Sequence, residues 1–98
     1  MEQHTVQGHS SRRYVFDLIG GHYCPDDRAG LFAVCRRLKD GSLETLGIGS
    51  ADNLCHALVA GCEETLRKYN AYGVAGVEIG VLGVHWADQR AEILADLK

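Results

Sequence analysis

From Tyr14 the chain alternates. Tyr14, Phe16 and Leu18 fall on one side and Val15, Asp17 and Ile19 on the other, the period that sends successive side chains to opposite faces of a strand. Residues 1–13 show no such period and are rich in His, Ser and Gly, so they predict a disordered N-terminal tail ahead of one domain over 14–98. After the strand, Gly20-Gly21 permits a bend, and Cys24-Pro25-Asp26-Asp27-Arg28-Ala29-Gly30 makes a turn-rich connection.

Two further strands, over 31–39 and 42–49, flank Asp40-Gly41. Asp and Gly tolerate the positive φ of a tight turn, so this dipeptide predicts a hairpin with a two-residue loop. That loop sets Arg37 opposite Glu44, Cys35 opposite Leu46 and Ala33 opposite Ile48. On the other face Val34 and Phe32 fall opposite Gly47 and Gly49, where large side chains lie over residues that offer none.

Ser50 predicts an N-cap for a long helix over about 51–69, with Asp52 in its first turn. Cys55, Leu58, Val59, Cys62, Leu66 and Tyr69 recur at three- and four-residue steps as its apolar stripe. Glu63 with Arg67 and Glu64 with Lys68 are i,i+4 pairs in the favourable order. Residues 74–84 predict a fourth strand interrupted by glycines, and 86–97 a short helix with Trp86, Ile93, Leu94 and Leu97 as apolar positions. The fold class is therefore α+β: an antiparallel sheet of three to four strands in the order β-β-β-α-β-α, with the long helix packed on one face.

A sheet with two apolar faces needs two covers. Either the C-terminal helix crosses to the second face or another subunit packs there, against Tyr14, Phe16, Leu18, Phe32 and Val34. The second alternative predicts a homodimer.

Composition narrows the function classes. The chain carries 13 acidic against 10 basic residues, net −3, with no basic run longer than two, so no nucleic-acid surface is expected. No apolar stretch is long enough for a membrane span, and the polar first residues lack the apolar core of an export signal, so the expectation is a cytoplasmic protein with reduced cysteines.

The densest candidate chemistry is the loop carrying His22, Cys24, Asp26, Asp27 and Arg28, which puts metal-ligand types, carboxylates and a cation side by side as a candidate ligand site. A turn built on Pro25, with Asp side chains bonding local N–H groups, accounts for the same residues. Cys24, Cys35, Cys55 and Cys62 lack the tight pair of a zinc site, so no metal and no cofactor are expected. A Cys24–His22 or Cys24–His85 pair lacks an orienting group, so no catalytic residue is assigned. Gly47-x-Gly49 lacks the lysine of a phosphate loop and the third glycine of a dinucleotide fingerprint.

The stretch 31–66 superficially resembles the end of a double-stranded-RNA-binding domain, but Ala51-Asp52-Asn53 stands where that family has lysines. It also resembles the strand-strand-helix unit of the regulatory domain of isopropylmalate synthase, over about a third of the chain and with no ligand residue to carry across. The reading is thus a small non-enzymatic protein-interaction module, homodimeric through its sheet, which as an inhibitor or accessory factor docks on a larger protein. The alternative is a small-ligand or metal-binding protein using the 20–30 loop, with an enzyme third.

Overall fold

The computed structural model describes residues 2–19, 27–60 and 62–98. Strands β1 (Gln3–Gln7), β2 (Arg13–Ile19), β3 (Gly30–Arg37), β4 (Leu43–Ala51) and β5 (Val77–Gly83) form one antiparallel sheet in the order β1-β2-β5-β3-β4. The chain is α+β, as its pattern predicts. Among the described residues the sheet has five strands rather than three or four, because Gln3–Gln7, expected as part of a disordered tail, pairs along its whole length with β2. Gln3, Thr5 and Gln7 are exposed and only His4 and Val6 turn inward. An edge strand that buries so little leaves no apolar alternation to read.

The hairpin at Asp40-Gly41 forms with a longer loop than predicted. The Leu38 N–H donates to the Ser42 carbonyl at 2.8 Å and the Gly41 N–H to the Leu38 carbonyl at 3.0 Å. Gly41 sits at φ 89°: a three-residue loop closed by a left-handed residue. The extra residue moves the register by one at the tip, so Glu44 opposes and pairs with Arg36 at 2.6 Å rather than Arg37. Leu46 then bulges out of β4, and Ala33↔Ile48, Val34↔Gly47 and Phe32↔Gly49 stand as predicted.

Each face of the sheet has its own core. Phe16, Leu31, Ala33, Cys35 and Ile48 lie on one, packed by Ile93, Leu94 and Leu97 of the C-terminal helix α2 (Ala87–Leu97). Phe32, Val34 and Val81 lie on the other, under Leu54, Leu58, Leu66 and Tyr69. Fully burying a side chain such as Phe16 contributes on the order of 2–3 kcal/mol.

The predicted 51–69 helix is not one helix. Ser50 and Ala51 remain in β4, paired with Leu31 and Gly30, so Ser50 cannot cap. Asn53 caps instead, its side-chain oxygen accepting the His56 N–H at 2.9 Å. A π-helical turn, His56–Ala60, follows and then a seven-residue helix α1 (Cys62–Lys68). The wider π turn rotates the stripe, burying Leu54 and Leu58 and leaving Val59 57% exposed. Glu63 pairs with Arg67 at 2.8 Å, whereas Glu64 and Lys68 form no ion pair. The longest regular helix among the described residues is the C-terminal one, α2 (Ala87–Leu97), close to its predicted span. None of these helices is long and apolar enough to cross a membrane.

Buried Arg90 fixes how α2 leaves the sheet. Its guanidinium donates to the Val84 and His85 carbonyls at 3.1 and 2.9 Å and to Asp52 at 2.7 Å. At the other end of α2 the Asp96 carboxylate accepts the Ser10 N–H and hydroxyl and the Tyr14 hydroxyl, at 2.8, 2.7 and 2.8 Å. The β1–β2 loop is thereby tied to the second cover.

Candidate functional site

The five residues expected at a dimer interface do not form one surface. Tyr14, Phe16 and Leu18 share the α2 face by strand alternation, and Phe32 and Val34 lie on the opposite one. Phe16, Leu18, Phe32 and Val34 are buried within the single chain and Tyr14 is half-buried. The C-terminal helix supplies the second cover, which removes the uncovered face on which the dimer expectation rested.

Of the candidate loop residues, His22, Cys24 and Asp26 lie outside the described residues. Asp27 accepts a hydrogen bond from the Asn53 side-chain amide at 3.2 Å, and the Arg28 carbonyl accepts the Leu54 N–H at 2.8 Å. Both therefore help fasten the start of β3 to the helical cover. Among the described residues no three His, Cys, Asp or Glu side chains converge as metal ligands. His85 packs edge-on against Trp86, ring centroids 4.8 Å apart.

A different feature emerges at the sheet's edges. Successive antiparallel pairings make β1 and β4, the two outermost strands, run parallel to each other. The sheet curls until their side chains meet without any backbone pairing between them. The His4 imidazole Nε2 meets the Thr45 hydroxyl at 2.9 Å, and Glu2, just ahead of β1, bonds Arg37 at the end of β3 at 2.5 Å. Val6 then shares a cavity of about 430 Å³ with Thr45, Leu46, Gly47, Ile48, Tyr69, Leu97 and Lys98. The result is a barrel-like sheet with one open seam.

The seam has a defined electrostatic state. Partial burial, and then the Arg37 charge, lower the His4 pKa, favouring the neutral ring. Arg37 itself is bound by Glu78 at 2.6 Å as well as by Glu2, which raises its pKa. Burial pushes the Cys35 thiol up to about 11, partly offset by its bond with Thr45, so it stays protonated near neutral pH.

Along the free side of β4 the seam continues into a second cavity of about 360 Å³, between Ser50 and Phe32 on the sheet and His56, Ala57, Glu64, Thr65 and Lys68 on the helical cover. Tyr69 separates the two cavities. Its ring occupies the space that a side chain at position 47 would fill, since a Cβ there would lie 2.0 Å from the ring. Phe32 fills the space above Gly49 and meets Tyr69 edge-on at 6.0 Å. The predicted role of Gly49 thus holds, while Gly47 accommodates Tyr69 rather than Val34. Pattern marked Tyr69 only as part of an apolar stripe and did not mark His4 or Thr45, because nothing local in the chain shows that its first strand returns beside its fourth.

Comparison of the chain with protein-family models, with curated proteins and with solved structures gives no match.

Proposed function

We propose that this chain is a small non-enzymatic protein-interaction module whose contact is the free edge of β4, with an extended segment of a larger protein as its partner. One observation carries the reading: a nine-residue strand with, among the described residues, a neighbour on one side only, opening onto two adjoining cavities. Ile48 and Ser50 oppose Ala33 and Leu31. The Ile48 carbonyl turns away from β3, since it accepts the Tyr69 hydroxyl at 3.2 Å, and alternation turns the Ser50 backbone the same way.

Such a row of backbone donors and acceptors is complementary to an extended polypeptide and to little else. Each added backbone bond contributes a net of about 0.5–1.5 kcal/mol, and side-chain pockets supply selectivity. One cavity touches β4 along 45–48 and the other at Ser50, so an added strand would pass pockets at two places along its length. A cytoplasmic setting goes with this proposal, supported by Cys35 and Cys62 being thiols.

The test is the full chain titrated with a short fluorescein-labelled peptide of alternating Val and Thr, read by anisotropy and by amide exchange. Saturable binding with slowed exchange at Ile48 and Ser50 is expected, weakened about tenfold or more in Ser50→Pro, which removes an outward N–H and no bond to β3. Absence of binding, or equal binding by a Ser50→Pro chain with unchanged circular dichroism, overturns the reading.

A further inference from the structure

Resting on that reading, we infer that the bound segment enters the seam between β4 and β1 and pairs with both, converting the open five-stranded sheet into a closed six-stranded barrel.

Three observations lead there. Among the described residues β1 and β4 are the two unpaired edges of the same sheet, and they lie across one cavity from each other. They run parallel, so a single strand inserted antiparallel to both continues the all-antiparallel pattern of the sheet. They are joined by a side-chain bond, His4 to Thr45, rather than by backbone bonds. Paired strands lie about 4.8 Å apart, so an inserted strand needs edges about twice that distance apart, and the His4–Thr45 bond opens to provide it.

Closure removes both exposed edges at once, whereas addition to β4 alone creates a new one. An apolar residue of the segment faces Val6, Ile48 and Leu97 in the larger cavity. A second copy of the chain offers, among the described residues, no strand with both edges free as insertion requires, because each of its strands is already paired with at least one neighbour. The occupant is therefore an extended segment of a different protein.

The chemistry of insertion differs from that of edge addition in one measurable respect. An inserted strand uses the N–H groups on both of its sides, and an added strand only those on one. The same Val/Thr peptide is made with N-methyl groups on its odd residues or on its even residues, and each is titrated against the full chain. Insertion predicts at least about a tenfold loss of affinity for both. Loss for only one methylated form overturns insertion and leaves edge addition standing. No binding of the unmethylated peptide overturns both. Native mass spectrometry of the chain alone completes the test: a dimer that the peptide dissociates makes a second copy the occupant and overturns the proposal, and a monomer that takes up one peptide supports it.

Discussion

The Tyr69 hydroxyl donates to the Ile48 carbonyl at 3.2 Å while its ring lies where a side chain on Gly47 would be. One residue of the helical cover thus touches β4 twice, by a polar bond at Ile48 and by bulk over Gly47. The two contributions separate by substitution.

Tyr69→Phe keeps the ring and loses the bond, so a destabilisation of about 0.5–1.5 kcal/mol is expected in urea unfolding. Gly47→Ala instead displaces the ring, at about 1–3 kcal/mol. In a Tyr69→Ala background the Gly47→Ala cost should nearly vanish, because the colliding ring is gone. Additive losses would show that Gly47 is required for some reason other than Tyr69.

The β1–β2 loop repeats the geometry of the Asp40-Gly41 hairpin with serine in the glycine's place. The Gly8 N–H donates to the Arg12 carbonyl and the Ser11 N–H to the Gly8 carbonyl, at 2.8 and 3.1 Å, and Ser11 holds φ 72°. A left-handed non-glycine residue costs about 1–2 kcal/mol, and glycine returns about 0.5–1 kcal/mol through its freer unfolded state. Ser11→Gly should therefore stabilise by about 0.5 kcal/mol and Gly41→Ala should destabilise by a similar amount, both seen as shifts of the denaturation midpoint.

Two groups set the pH dependence of stability. The His4 pKa is lowered below 6.5 in the fold, so the unfolded chain binds more protons just below that pH. The stability His4 contributes is complete above 6.5 and is lost as pH falls toward its folded value. Asp96 is held below its ordinary 3.8 by the Ser10 hydroxyl, then by Tyr14 and the Ser10 N–H, so its contribution persists further into acid and is lost below 3.8. His4→Gln should flatten the stability curve in the first window and Asp96→Asn in the second. Unchanged slopes in urea midpoints measured against pH would contradict the assignment.

Arg90 and Asp52 are unequal partners: the Arg90 side chain is 8% exposed and that of Asp52 97%. Arg90→Met leaves the Val84 and His85 carbonyls without their donor and should cost about 1.5–3 kcal/mol. Asp52→Ala removes only a solvated partner and should cost less than about 1 kcal/mol. Thermal unfolding of both variants checks the order.

Cys35, with its pKa near 11, should have roughly one thousandth of its thiols ionised at pH 8 even before burial limits access. Peptide mapping after iodoacetamide treatment should find Cys62 modified before Cys35, which stays protected until the chain is unfolded.

The chain's own pattern determines its local structures. The alternation of Tyr14 to Ile19, the turn residues Asp40 and Gly41, and the apolar spacing of Ile93, Leu94 and Leu97 act between near neighbours, so β2, the β3–β4 hairpin and α2 are legible without the fold. The one-residue slip at the hairpin tip and its repair at Leu46 are less so, since only the two strands together decide where an extra residue is absorbed. Pairing between distant segments lies further out of reach. Nothing near Gln3–Gln7 announces a strand, because its partner is β2 and its exposed side chains need no burial. Nothing near Val77–Gly83 says that it separates β2 from β3. Whether the second apolar face meets α2 or another subunit depends on how the sheet curls and where β5 delivers the chain, and the same curl brings His4 to Thr45. The seam between β1 and β4 therefore belongs to the tertiary structure alone, because it is made by residues far apart in the chain whose meeting no local preference encodes.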